Sequence, residues 1–132
     1  MREIALDTQA ATAVAIIEDG RAIARARNDS GRHHAESITP LVREALEAAG
    51  LPTALEEAAI DRLLVGTGPA PFTGLRAGLV SARVLARVAG VPAYGVSALD
   101  VIARQGLDLL APDTRVYAIA DARRRELYWG SY

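Results

Sequence analysis

The sequence predicts a mixed α/β fold with the element order β-β-β-α-β-α-β-α-β-β. Three observations carry this reading. Short alternating or β-branched runs open the chain and meet across an Asp-Gly pair. Two longer segments repeat apolar residues at helical spacing and stop at glycine. Short apolar runs of strand length stand beside those helices.

The elements follow in order. Residues 2–7 alternate, with Ile4 and Leu6 on one face, and residues 12–18 are rich in β-branched side chains. Residues 21–28 alternate again, and Asp19-Gly20 before them is a two-residue hairpin signal. The opening is therefore an antiparallel meander. After a polar break at 29–33, Ile38, Leu41, Val42, Ala45, Leu46 and Ala49 follow the i, i+3, i+4, i+7 rule of an amphipathic helix. Gly50 caps it and Pro52 prevents its continuation. Its start has two readings: Thr39 as N-cap with Pro40 in the first position, or a start near His34. Residues 54–59 add one helical turn, and 61–66 read as a buried strand. The loop Gly66-Thr67-Gly68-Pro69-Ala70-Pro71 leads into a second helix, from Phe72 or Thr73 to Ala89, ended by Gly90. Residues 91–96 form a strand, and Ser97 caps a third helix over 98–105. A loop at 106–114 precedes two strands, 115–120 and 126–132, around a charged turn. No repeat and no long linker interrupts the chain.

Composition narrows the chemistry. A length of 132 residues fits one domain, or one half of a two-part fold. The absence of cysteine excludes disulfides, thiolate metal sites and cysteine nucleophiles. All 15 basic residues are arginine, so no lysine serves a Schiff base or a P-loop. A formal net charge of −1 offers no large electrostatic footprint for nucleic acid. Glu3 and Asp7 interrupt any signal-peptide pattern, no stretch is apolar for about 20 residues, and a cytoplasmic location is expected. The chain stops inside the aromatic run Tyr128-Trp129-Gly130-Ser131-Tyr132, where tails are normally polar, so a second half is expected to follow.

Several motifs bear on function. Asp7-Thr8 places an acid before a tight turn, a phosphate-type position when that turn carries glycine; with Thr8 there, a plain polar hairpin is the simpler reading. The Gly66-to-Arg76 segment is a glycine-bearing strand-to-helix loop, either an anion cradle or a structural turn. His33-His34 with Glu36 lacks the four-residue histidine spacing of a metallopeptidase helix, so surface or interface histidines are the reading. No serine sits in a nucleophile elbow. Helix two is apolar on two sides: Leu75, Leu79, Ala82 and Ala86 form one stripe, Ala77, Val84 and Val88 another, and Gly74 with Gly78 a small-residue groove. Its charge is confined to Arg76, Arg83 and Arg87, beside Val80. Such a helix is buried twice, by its sheet and by helix one, a partner, or both.

These residues together resemble the TsaB (YeaZ) family. The match runs through Ile4-Ala5-Leu6-Asp7-Thr8, then Arg32-His33-His34-Ala35-Glu36 with Pro40-Leu41. Its most specific stretch is Gly68-Pro69-Ala70-Pro71-Phe72-Thr73-Gly74-Leu75-Arg76-Ala77-Gly78-Leu79. It ends with Gly95-Val96-Ser97-Ala98-Leu99 and Asp121-Ala122-Arg123-Arg124, followed by Glu126-Leu127-Tyr128-Trp129. Ala70-Pro71 replaces the family's Gly-Ser, Ala35 its serine, and Arg125 the glycine of the late hairpin. The resemblance implies an actin/Hsp70-like (ASKHA, ribonuclease H-like) fold, with 1–106 as an N-terminal subdomain and 107–132 as the beginning of a second.

It also implies a role: a non-catalytic accessory subunit that binds and activates a TsaD-like threonylcarbamoyltransferase modifying tRNA adenosine next to the anticodon. A TsaE-like ATPase would join the assembly, tRNA would be met only through the complex, and the chain alone would form homodimers. No cofactor is expected on this chain, ATP and metal being expected on its partners, and no catalytic or metal-ligating residue is expected. The implied partner interface comprises His34, Ile38, Leu41 and Ala45 of helix one with Arg76, Ala77, Val80, Val84 and Val88 of helix two. Asp7, Thr8, Gly66, Gly68, Thr73 and Gly74 are implied to be vestigial phosphate-type loops. The alternatives are an ATP-binding ASKHA phosphotransferase and an inactive glycoprotease-like peptidase homologue.

Overall fold

The alternating opening runs do pair as a meander. In the computed structural model, which describes residues 1–30, 34–70 and 72–132, strands β1 (Arg2–Asp7), β2 (Thr12–Glu18) and β3 (Arg21–Asn28) are antiparallel neighbours. Gly20 turns between β2 and β3 with φ +79°, and Asp19 before it is also left-handed, as an Asp-Gly hairpin requires. Strands β4 (Arg62–Gly66) and β5 (Ala93–Val96) add in parallel on the other side of β1, giving a five-stranded sheet of order β3-β2-β1-β4-β5. The register sets Ile4 beside Ile16 and Leu63, and Leu6 beside Val14 and Val65. One face of the sheet is therefore a continuous apolar surface.

Two helices cover that face. Helix α1 (His34–Ala48) lies over β2 and β3, and α2 (Phe72–Ala89) over β4 and β1. Ile38, Leu41, Val42, Ala45 and Leu46 of α1 and Ala82 and Ala86 of α2 complete the core with the sheet residues. Both helices end at the predicted glycines. Gly50 and Gly90 are left-handed, and the N–H groups of Leu51 and Val91 reach back to the carbonyls of Leu46 and Ala86 at 2.9 Å.

The structure chooses between the two starts read for α1 and shifts several other boundaries. Helix α1 begins at His34, so Thr39 is not its N-cap and Pro40 lies inside the helix. The first turn is held by the burial of Ile38 and by bonds to Thr12 on β2, which outweigh the missing proline N–H. Residues 54–59 form the expected single turn, closed by the Ala58 N–H on the Ala54 carbonyl at 3.1 Å, and bury Leu55 and Ala58. Helix α3 (Ala98–Leu107) runs two residues past its predicted end, and Ser97 caps it by backbone geometry without a side-chain bond. Strand β6 is Tyr117–Arg123 rather than 115–120, pairing with β7 (Glu126–Ser131) as a separate two-stranded sheet against α3. The charged turn is left-handed at Arg123, Arg124 and Arg125, with φ of 65°, 52° and 65°. Arg125 thus keeps a conformation that glycine favours, although the side chain differs.

No helix among the described residues is long and apolar enough to cross a membrane. The second sheet face carries smaller and partly exposed residues, among them Ala5, Ala13, Ala15 and Leu64. With Val101 and Ile102 of α3 they line a cavity of about 620 Å³.

Candidate functional site

Helix α2 is drawn close to the sheet because its inward side is nearly devoid of side chains. Its buried positions are Gly74, Gly78, Ala82 and Ala86, a row at four-residue spacing. A Cβ on Gly78 would lie 2.3 Å from Thr8 Oγ1, and one on Gly74 would lie 2.6 Å from the Thr8 carbonyl. The turn after β1 therefore touches the helix backbone directly. Thr8 is 2% exposed, and its hydroxyl donates to the Gly74 carbonyl at 2.7 Å. Next to it, His34 Nδ1 is hydrogen-bonded to Thr12 Oγ1 at 2.8 Å, and Ser37 Oγ lies 3.2 Å from the same hydroxyl. The His34 ring crowds the same position: a Cβ on Gly74 would stand 3.3 Å from its Nε2. These contacts pin the starts of α1 and α2 to one turn.

The phosphate-type positions are brought together unevenly. Asp7 accepts the Gln9 N–H at 3.0 Å, and its carboxylate occupies the space where a Cβ of Gly66 would stand. Gly68 is left-handed and its carbonyl accepts the Ala98 N–H at 2.8 Å, tying the loop to the start of α3. Thr73 is exposed on the first turn of α2, away from Asp7 and Gly66. Asp7 thus packs on Gly66 and Thr8 on Gly74, with one Asp7 carboxylate oxygen and the Thr8 hydroxyl hydrogen-bonded within the chain. An adjoining cavity of about 1150 Å³ is lined by Gln9, His34, Phe72, Thr73, Arg123 and Tyr128. No group of three or more His, Asp or Glu side chains that could hold a metal occurs among the described residues. Arg32, His33 and Pro71 lie outside them.

The outward side of α2 is different in character. Val80, Val84 and Val88 are 62%, 56% and 46% exposed at successive four-residue steps. They form a ridge that neither the sheet nor α1 covers. Arg76, Arg83 and Arg87 run along one edge of it, all exposed. Phe72 stands at the head of the helix, 66% exposed, with the Arg76 guanidinium 3.8 Å from its ring centre.

This geometry corrects the expected interface. Ile38, Leu41 and Ala45 are 1%, 6% and 0% exposed, inside the chain's own core, and no partner reaches them without opening it. His34 and Ala77 are half-buried, and Val80, Val84, Val88 and Arg76 remain accessible. Phe72 was missing from the expected set, although an aromatic four residues before Arg76 at a helix start was a usable signal.

Comparisons with known proteins agree on one family. The model of TsaD, tRNA N6-adenosine threonylcarbamoyltransferase, matches residues 28–132. An uncharacterized protein of Mycobacterium tuberculosis is 48% identical over 101 residues, 76% of this chain and 43% of the relative. The Escherichia coli tRNA threonylcarbamoyladenosine biosynthesis protein TsaB is 40% identical over 133 residues, 100% of this chain and 55% of the relative. The solved structure of YeaZ from Pseudomonas aeruginosa superposes with a TM-score of 0.83 at 35% identity, covering 99% of this chain and 59% of that one. The chain spans about half the length of these relatives. The shared fold is ASKHA-like. On this evidence the chain belongs to the family of the tRNA threonylcarbamoyltransferase TsaD, among its TsaB (YeaZ) members.

Proposed function

We propose that this chain acts in tRNA threonylcarbamoyladenosine biosynthesis as a non-catalytic accessory component, docking and activating a TsaD-like transferase through the outward side of α2. The observation that carries the reading is the valine ridge Val80-Val84-Val88, left uncovered on a helix whose other side is fully packed. Covering a valine contributes up to ~1.5–3 kcal/mol, so three half-exposed valines supply a few kcal/mol to an interface. The name of the E. coli relative supports the pathway, and the matching family model supports the kind of partner. The junction at Asp7, Thr8 and Gly66 supports an accessory role, because Thr8 fills the approach to the α2 backbone and its hydroxyl is already engaged.

In this reading ATP and metal are held by the partners, a TsaE-like ATPase joins the assembly, and tRNA is met only through the complex. The setting is the cytoplasm, and two copies pair through the same ridge when the transferase is absent. Residues 1–106 form the N-terminal ASKHA subdomain and 107–132 begin the second.

The test is light-scattering chromatography of the chain alone and with the TsaD-like protein of the same organism. A heterodimer peak is expected, lost on Val84→Glu with an unchanged melting temperature, since that side chain leaves the core untouched. Binding that survives Val84→Glu moves the docking surface elsewhere, and the absence of any complex refutes the role.

A further inference from the structure

The net charge of −1 hides an asymmetry along the chain. Residues 115–132 carry four arginines against two acids, whereas residues 1–114 carry eleven against fourteen. Three of the four stand in a row, Arg123-Arg124-Arg125, where β6 turns into β7. All three are exposed, and all three hold a left-handed backbone. Residues other than glycine rarely adopt it, so three in succession make a strained turn that glycine would relax. What glycine would lack is the charge. The neighbouring acids leave that charge available: Asp121 accepts the Arg123 backbone N–H at 2.7 Å, and the ion pairs of the described residues include none with these three guanidinium groups. Arg123 also lines the cavity of about 1150 Å³, and so does Phe72, 66% exposed at the head of α2 with the Arg76 guanidinium over its ring. A row of cations and an open aromatic ring therefore border one opening.

We propose that the β6–β7 turn contacts RNA: Arg123, Arg124 and Arg125 hold successive phosphates of the tRNA that the complex receives, and Phe72 stacks an unpaired base beside them. Arginines neutralise phosphates, and unstacked bases settle on exposed aromatic rings, so this combination suits a single strand. The inference rests on the reading above, in which tRNA is met only within the complex, and adds the part of this chain that it meets there. Contacts of this kind position the strand and do not read its sequence. The strained turn then has a physical reason, since three consecutive arginines at a hairpin tip present their charge to one strand.

The test uses the complex of this chain with the TsaD-like protein of the same organism and a fluorescent, unmodified tRNA transcript, with affinity read by anisotropy between about 50 and about 200 mM NaCl. The variant carrying Arg124→Gln and Arg125→Gln is expected to bind tRNA about tenfold more weakly at low salt and to lower the slope of log affinity against log salt by about two. A control carrying Arg21→Gln and Arg43→Gln, on β3 and α1, removes the same charge and is expected to bind within about twofold of the parent. A third variant, Arg124→Gly with Arg125→Gly, relaxes the turn: its melting temperature is expected not to fall, while its tRNA affinity falls as in the glutamine variant. Binding by the glutamine variant within about twofold of the parent overturns the proposal, and so does an equal loss in the control, which would assign the effect to overall charge. Loss of fluorescent ATP binding with tRNA binding intact also overturns it, assigning the arginines to a small nucleotide. In each of these cases the complex still forms in chromatography, and docking through α2 stands. Absence of the complex itself removes the docking reading and this proposal with it.

Discussion

Thr8 donates its hydroxyl to the Gly74 carbonyl while the Gly78 Cα lies against the same side chain, so one threonine and two glycines set the distance between the first turn and α2. Gly78→Ala is expected to destabilise the chain by ~1–3 kcal/mol through overpacking, although alanine improves helix propensity. Thermal melts check this, and adding Thr8→Ala is expected to recover most of the loss, because the clash is between those two side chains. A second residue-scale prediction concerns pH. The guanidinium of Arg104 hydrogen-bonds Asp108 and holds its carboxyl below the ordinary aspartate range. A lowered folded value favours the charged form, so the pair's contribution is present above the unfolded carboxylate value and is lost as pH falls through the folded one. Carbon-detected NMR titration should place the Asp108 midpoint below that of a free aspartate and return it upward in Arg104→Gln. The sequence named Thr8 as a departure from a phosphate-type turn. It did not reveal that the hydroxyl engages a carbonyl 66 residues away, since that bond exists only once β1 and α2 are packed.

At the scale of elements, periodicity located both long helices and their glycine caps, and the Asp-Gly pair located the hairpin. It left the start of α1 open between Thr39 and His34, and the helix begins at His34. Local propensity at Thr39-Pro40 favours a cap, but His34 and Ser37 gain bonds to Thr12 across 22 and 25 residues, and this tertiary gain extends the helix through Pro40. The same limit explains the interface residues. Ile38, Leu41 and Ala45 form an apolar stripe in the sequence, yet that stripe faces the chain's own sheet. One residue from each long helix shows the contrast. Leu46→Ala in α1 is expected to cost ~2–5 kcal/mol, as for a core leucine cut to alanine. Val84→Ala on α2 should stay within about 0.5 kcal/mol, because the side chain is more than half exposed. Denaturant melts of the two variants separate core from surface, and equal losses would show that the valine ridge is packed.

Across the whole molecule, two sheets of unequal support share one chain. The five-stranded sheet is backed by α1 and α2, whereas β6 and β7 form a pair with Tyr117, Ile119, Leu127 and Trp129 exposed. Two-stranded sheets are marginal by themselves. Amides of β6 and β7 are therefore expected to exchange with solvent well before those of β1 and β4, as hydrogen-exchange mass spectrometry or NMR would measure; equal protection would show one cooperative unit. The sequence by itself determined the element order, the glycine-capped ends of α1 and α2 and the family, because these depend on local spacing, turn chemistry and ordered motifs. Only the tertiary structure decided which apolar stripes meet each other and which stay uncovered. Periodicity shows that a face is apolar, but the pairing of β1 with β4 and the close seat of α2 on Thr8 turn the glycine side inward and leave Val80, Val84 and Val88 outside.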